Sequence, residues 1–331
     1  MKRIDACWYS QNPVAWLLLP LAILYCVIIF IRRQLYRLGM LKNFKCSVPV
    51  IIVGNISVGG TGKTPLLIAL CKLLISQGYR PGVISRGYGG SFEGERQLAA
   101  GDSAKLVGDE PCLIHVRTHC PVVVGRDRVA AAELLLKNNN CDVILSDDGL
   151  QHYRLQRDIE IAVVDTRRMF GNGYCLPAGP LREPVSRLKQ VDLVVDHCSA
   201  GESAVSKVNF TLMFTDAINL KTGESKELDN FTGSVVHAVA GIGYPERFFA
   251  QLRQAGLSVI EHAYPDHYQY AINDLMFNDD NPVLMTEKDA VKCRHFANDK
   301  FWYAPVDAVL SPGFKQELLA KLKSHAGVPH E

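Results

Sequence analysis

The sequence predicts an α/β protein with a mostly parallel sheet covered by helices on both faces, a smaller C-terminal α/β domain, and an N-terminal apolar helix. Three observations carry this. Short β-branched runs alternate with stretches of helical periodicity from residue 47 to about 199, the rhythm of a parallel sheet whose crossovers are helices. A glycine-rich turn ending in Gly-Lys-Thr joins the first such run to the first such helix. Upstream, residues 14–31 read VAWLLLPLAILYCVIIFI without a single charge.

That apolar run comes first in the chain. At about 1.5 Å of rise per residue it spans roughly 27 Å, close to the hydrocarbon thickness of a bilayer. Lys2 and Arg3 precede it; Arg32, Arg33, Arg37, Lys42 and Lys45 follow it. A cleaved signal peptide requires small residues at its cleavage site, whereas Arg-Arg-Gln follows here, so a retained anchor fits better. The larger basic cluster downstream puts the body of the protein on the cytoplasmic side. Pro20 falls inside the run, where it kinks the helix or lays it in the interface. Spanning, dipping into the membrane, and packing against the protein core all remain open on sequence alone.

The first strand is expected at 47–54, then a helix from Thr64 to 77 stopped by Gly78. Residues 81–85 (PGVIS) form a second strand and 87–108 a long polar, glycine-rich loop, the kind that more often carries function than not. A helix over 110–118, a strand at 121–125, a helix over 126–137 and strands at 142–146, 159–165 and 191–195 complete the core. Beyond residue 200 the pattern loosens into a polar stretch to 230, with strands expected at 235–240, 282–286 and 302–305 and a helix at 245–254 that opens on proline. The expected organisation is residues 1–46 as helix and basic linker, 47–199 as the core, and 200–331 as a smaller domain closing over the cleft.

Composition excludes more than it selects. Formal net charge is +2 with 21% charged residues, far from the basic surface a nucleic-acid binder needs. The ten cysteines contain no Cys-x-x-Cys pair, so neither a disulfide framework nor a structural zinc site is indicated. His115 and His119 share a helix face but lack the glutamate of a zinc-protease motif.

Ser57-Val58-Gly59-Gly60-Thr61-Gly62-Lys63-Thr64 stands between strand and helix, the context that defines a P-loop. Its glycines let backbone N–H groups converge on phosphate oxygens, and the helix N-terminus adds its positive end. Lys63 is placed to reach the β- and γ-phosphates of a nucleotide and Thr64 to hold Mg²⁺. Ser57 stands where the motif usually has its first glycine. The expected core is therefore P-loop NTPase-like. The strand at 142–146 runs into Asp147-Asp148-Gly149, a carboxylate at the C-terminal end of a sheet strand, where Mg²⁺ is met. Consecutive residues of an extended chain point opposite ways, so one aspartate faces the metal and the other the loops.

The phosphate loop does not stand alone. NISVGGTGKTP at 55–65, SRGYG at 85–89, GDEP at 108–111, DDGLQH at 147–152, PAGPLREP at 177–184, PDH at 265–267 and MTEKDAVK at 285–292 occur together and in this order. The set resembles tetraacyldisaccharide 4′-kinase, the lipid A 4′-kinase of Gram-negative bacteria, from the apolar helix to about residue 305. The resemblance implies transfer of the ATP γ-phosphate to the 4′-hydroxyl of a lipid A disaccharide 1-phosphate, forming lipid IVA at the bacterial inner membrane. It implies that Asp109 is the catalytic base, paired with His267, and that Glu183 is a Mg²⁺ ligand. On the residues alone, the helix N-cap is the favoured reading of Asp109, and the resemblance reverses that order. The anionic 1-phosphate calls for cations, and Arg86, Arg126, Arg128 and Arg182 lie in or beside loops at strand ends. His152, after the Asp-Asp-Gly turn, is expected in the same cleft, and Asn55, which opens the phosphate-loop motif, on the substrate side.

A lipid acceptor also gives the N-terminal helix a purpose, because each buried CH₂ holds such a molecule in the bilayer by about 0.8 kcal/mol. The rival reading is a membrane-associated P-loop ATPase or GTPase acting as a switch. Its base-reading Asn-Lys-x-Asp motif is matched only loosely by Thr286-Glu287-Lys288-Asp289.

Overall fold

The protein's structure, a computed structural model, describes residues 8–10, 13–198 and 207–325. Lys2, Arg3 and Cys7 lie outside the described residues. In chain order the strands are β1 (Val50–Gly54), β2 (Pro81–Ser85), β3 (Arg96–Gln97), β4 (Val122–Val124), β5 (Val143–Asp147), β6 (Ile159–Asp165), β7 (Leu193–Cys198), β8 (Asn209–Phe214), β9 (Ala217–Asn219), β10 (Ser225–Lys226), β11 (Val235–Ala240), β12 (Ser258–Ala263), β13 (Val283–Thr286), β14 (Phe301–Ala304) and β15 (Val306–Leu310).

They form two sheets, ordered β15-β8-β7-β6-β1-β5-β2-β4-β3 and β10-β9-β14-β13-β11-β12. In the first, β1 pairs in parallel with both β5 and β6, and β2 with β5 and β4. Antiparallel pairings occur at its two edges, β3 on β4 and β15 on β8. The continuous apolar runs in β1 and β5 follow from burial on both faces. Because side chains alternate, Ile51 and Val53 pack on one face with Leu66, Leu70, Ile114 and Phe314, while Val50 and Ile52 pack on the other with Val129, Ala132 and Leu135.

The helices that cover these faces are α1 (Pro13–Arg37), α2 (Lys63–Ser76), α3 (Ala104–Val107), α4 (Asp109–Thr118), α5 (Arg128–Asn138), α6 (Pro245–Gln254), α7 (Glu287–Cys293) and α8 (Pro312–His325). The second sheet buries Val236, Ala238 and Ala240 against Phe248, Phe249 and Leu252 of α6, and Val239, Met285 and Phe301 on its other face.

Position 200 does not separate the sheets. Strands β8 and β15 extend the first sheet, and Phe314, Leu318 and Leu322 of α8 belong to its core. The chain leaves the first sheet after β8, builds the second, and returns. The polar stretch after residue 200 hid this because β8 is only half-buried and offers a weak apolar signal. Within that polar stretch β9 and β10 form an antiparallel pair.

Helix α1 runs through Pro20 without ending. Ala15 and Ala22 are buried, and Tyr25, Cys26 and Arg33 are half-buried along the same stripe. Tyr25 donates to the Arg182 carbonyl at 3.1 Å, Trp8 to the Pro177 carbonyl at 3.1 Å, and Arg33 to the Gln190 side chain. The opposite faces leave Trp16, Leu17, Ile23, Leu24, Ile28 and Phe30 exposed. By length and apolarity this helix is fit to cross a membrane, with 11% of its most apolar window buried in the protein. A helix apolar all round and buried on one stripe leaves the rest for lipid. Among the described residues there is no disulfide.

Candidate active site

The phosphate loop folds as its motif requires. Gly59 and Gly62 have φ of 108° and 84°, values that cost a side-chain-bearing residue steric strain. A β-carbon on Gly62 would also lie 2.8 Å from Nδ1 of His197. Ser57 is not in the left-handed region and forms a bridge with Leu181, so glycine is not needed at that position. Val58 donates to the Pro180 carbonyl at 2.8 Å and Arg182 to the Ile56 carbonyl at 2.7 Å. The PAGPLREP segment thus lies alongside the entrance to the loop. Lys63 opens α2, and its Nζ donates to Asn55 Oδ1 at 3.1 Å and lies 3.5 Å from Asp148.

Strand β5 places its aspartates next to the loop because it pairs directly with β1, Val53 opposite Asp147. Asp147 is 2% exposed; its Oδ2 accepts from Ser85 at 3.2 Å, and its Oδ1 is buried without a partner. Burial, reinforced by Glu110 and Asp148, pushes its carboxyl well above the usual range. A buried carboxylate oxygen without a hydrogen-bond partner keeps a lone pair available to a cation. Thr64 stands in the first turn of α2, and hydroxyl and carboxylate oxygens are the donor type that suits Mg²⁺.

Asp148 turns the other way, at φ 49°. It accepts from Arg182 at 2.8 Å. Burial opposes its ionisation, but Lys63 and Arg182 outweigh that and hold the carboxyl below its usual range. The two aspartates thus have different partners, Ser85 for Asp147 and Arg182 with Lys63 for Asp148, and each keeps a buried Oδ1 without a hydrogen-bond partner. Arg128 is 3% exposed and donates to the carbonyls of Gly125 and Asp147 at 2.9 and 3.0 Å. It braces the turn from beneath instead of facing an acceptor, and burial lowers its pKa to about 10. His152 is driven down to about 4 by burial and by Arg128 and Arg86. Arg86 and Arg126 are exposed. Asn55 is fully buried, and its contacts are with Lys63 and Ser57, so it serves the loop.

Glu183 was expected at a metal and lies in a different setting. It is 1% exposed; Oε1 accepts from Gln151 at 2.8 Å, Oε2 from Tyr153 at 2.7 Å, and Arg187 pairs with it at 3.1 Å. Both oxygens are engaged by the protein.

The two sheets meet at Asp109. It is the first residue of α4, 4% exposed, and its carboxylate faces Nδ1 of His267 at 2.9 and 3.0 Å. Burial raises the Asp109 carboxyl, but the His267 hydrogen bond, Lys288 and Lys292 overcome this, leaving it below its usual value. For His267 burial works downward, and the bond to Asp109 wins, so its pKa is raised. His267 holds φ 61°, and Tyr88 from the SRGYG loop leans on its ring at 4.8 Å. The helix-cap reading of Asp109 is not what the side chain does: the one backbone amide it accepts from is that of the adjacent Glu110, while Gly108 is the cap.

The loop between β11 and α6 lies between the phosphate loop and the His267 loop. A β-carbon on Gly243 would lie 2.9 Å from the Gly60 nitrogen and 3.4 Å from Asp266, so two glycines allow the second body to touch the first. Sequence reasoning missed Arg168, Asp165, His197 and Arg247. The Arg168 guanidinium lies where a β-carbon on Gly59 would stand, 2.7 Å away. Arg247 of α6 forks onto both oxygens of Asp165 at 2.9 Å and reaches His197, whose Nδ1 lies 3.0 Å from the Thr61 carbonyl. These residues belong to no short motif; Arg-Arg after a strand ending in aspartate was the available signal. Thr286–Asp289, the loose base-reading match, begins α7 with Asp289 fully buried on Gly241 and Thr286, so it does not face a nucleotide base.

Comparison with known proteins agrees with this arrangement. The family model described as tetraacyldisaccharide-1-P 4′-kinase matches residues 14–323. A tetraacyldisaccharide 4′-kinase of Nitrosococcus oceani is 51% identical over 322 residues, covering 96% of this chain and 94% of that one. Another, from Alkalilimnicola ehrlichii, is 49% identical over 325 residues and 97% of each chain. The crystal structure of the "apo" form of LpxK from Aquifex aeolicus in complex with ATP superposes with a TM-score of 0.78 at 31% identity, covering 93% of this chain and 99% of that one. Motifs, fold and likeness agree over nearly the whole length, and the chain belongs to the tetraacyldisaccharide 4′-kinase family.

Proposed function

We propose that this protein transfers the γ-phosphate of ATP to the 4′-hydroxyl of a tetraacylated disaccharide 1-phosphate, forming lipid IVA in lipid A biosynthesis. Family membership supports the activity. The observation that carries the chemistry is the Asp109–His267 pair, assembled between elements of the two sheets.

The protein's own residues divide the work. The amides of 58–63 receive the triphosphate, and Lys63 exchanges Asn55 and Asp148 for the β- and γ-phosphates. Thr64 and Asp147 would hold Mg²⁺, which when bound neutralises charge on the phosphate oxygens. Asp109, ionised at neutral pH, accepts the proton of the sugar hydroxyl as the phosphoryl group passes to that oxygen, and His267 fixes the orientation of the carboxylate. Arg86 and Arg126, exposed at strand ends, are the cations free to meet the 1-phosphate; Arg182 is shared with Asp148. Purified protein with labelled ATP and the disaccharide in mixed micelles should give product labelled at the 4′ position. Nucleotide turnover without labelled lipid would overturn this reading.

The helix contacts support a body lying at the cytoplasmic surface with α1 in the interface. Contacts from Trp8 to Arg33 hold α1 along the catalytic body, so a full crossing would drag that body into hydrocarbon. The outward apolar face, followed by Arg32, Arg37, Lys42 and Lys45, suits anionic headgroups. Leu17→Glu combined with Leu24→Glu, both on the outward face, should weaken binding to anionic vesicles by about a hundredfold or more, since burying each leucine contributes about 1.5–3 kcal/mol. The thermal midpoint of the purified protein should stay unchanged. Undiminished vesicle binding would rule out α1 as the membrane contact.

A further inference from the structure

Helix α7 sends two lysines to the carboxylate of Asp109. Lys288 Nζ lies 3.9 Å from Oδ2, and Lys292 Nζ 4.0 Å from the same oxygen. Lys292 is committed elsewhere: its side chain is 1% exposed, it pairs with Asp289 at 2.7 Å, and it sits over the Tyr270 ring. Lys288 is half-buried at the point where three elements meet. It donates to Glu110 at 3.0 Å on α4 and to Asp266 at 3.3 Å on the His267 loop. One ammonium group therefore ties the base, its neighbour and the residue before its histidine partner.

We propose that Lys288 is a positioning residue of phosphoryl transfer, whose positive charge keeps Asp109 ionised and joins α4 to the His267 loop without touching either substrate. This rests on the reading of Asp109 as the base. The charged and titratable groups around that carboxylate enter the balance: His267 and Asp266 on their loop, Lys288, Lys292 and Asp289 on α7, and Glu110 and the Cys112 thiol on α4, with the Tyr88 ring closing over His267. An opposite charge at this distance lowers a carboxyl pKa by about 1–3 units. The sign follows. Without Lys288 both Asp109 and His267 hold their protons to higher pH, so whichever of the pair must be deprotonated, the acidic limb of kcat/KM moves upward. Without Asp266, a negative charge beside the same pair is lost and the limb moves downward.

The experiment is the pH profile of kcat/KM for the full-length enzyme with ATP and the lipid disaccharide in mixed micelles. Lys288→Met should move the acidic limb up by about one unit or more, with little change in KM for ATP. Lys288→Arg should restore the limb, and Asp266→Asn should displace it the other way. A merely structural lysine would lower kcat at every pH and leave the limb in place, and a substrate-binding lysine would raise KM; either result overturns the proposal. Should Lys288→Met fail to fold, the directions for Lys288→Arg and Asp266→Asn still decide. Asp109→Asn separates the two readings: retained activity there removes the base assignment itself, whereas an inactive Asp109→Asn with an unmoved limb in Lys288→Met removes the lysine's role alone.

Discussion

Asp109→Asn should lower kcat by about 10²–10⁴-fold, the range a positioned general base contributes, while KM for ATP changes little. Asparagine keeps the shape of the side chain and can still bond His267 through its oxygen, so the His267 loop stays docked. What it removes is the negative charge and the lone pair that takes the hydroxyl proton. The loss corresponds to about 2.7–5.4 kcal/mol of transition-state stabilisation. It should appear in kcat and kcat/KM alike, the signature of an interaction made in the transition state. Single-turnover rates with saturating ATP and lipid disaccharide separate this from slow product release. A variant within tenfold of the parent would mean that Asp109 only anchors Lys288 and Lys292. His267→Gln should cost less, because the carboxylate keeps its charge and loses only one constraint on its direction.

The parts of this site legible in the sequence are those whose chemistry is local. The phosphate loop is a contiguous string whose glycines, lysine and threonine each have a fixed task, and β5 announces its aspartates by ending an apolar run. The pairing of Asp109 with His267 spans 158 positions and came only from a resemblance of motifs; nothing in the spacing of GDEP and PDH says that they touch. The buried settings of Arg128 and Glu183 were not visible in the sequence for a common reason. A charged residue in a loop at a strand end is usually solvated or functional, and neither periodicity nor composition shows that the loop folds back under the sheet. Position 200 failed as a boundary on similar grounds: return of β15 and α8 to the first sheet is a long-range pairing, and sheet membership of a terminal strand is not written in its own residues. The Arg247–Asp165–His197 chain, which braces the phosphate loop from the second body, is the same kind of fact.

Arg187→Leu should destabilise the protein by about 3–5 kcal/mol, the usual cost of removing one partner from a buried ion pair. Arg187 is 2% exposed; its Nη2 donates to Glu160 at 2.5 Å and its Nε faces Glu183 at 3.1 Å. Leucine fills part of the volume but leaves two carboxylates inside the protein. Glu160 retains Arg157 at 2.9 Å, and Glu183 retains Gln151 and Tyr153, which places the effect toward the lower end of that range. The denaturant midpoint should fall with an unchanged slope; a shift worth less than about 1 kcal/mol would mean that neither pair matters to folding. Glu183→Gln then decides what that carboxylate is for. In the buried network it loses the Arg187 pairing, so stability falls while the Mg²⁺ concentration needed for half-maximal activity stays where it was. A metal ligand would behave oppositely, with near-parental stability and a raised Mg²⁺ requirement. The network reading has a route to the nucleotide all the same. Gln151 donates both to Glu183 and to the Asn55 carbonyl, and Asn55 holds Lys63, so loosening Arg187 should also raise KM for ATP, through the set of the phosphate loop and not through the metal.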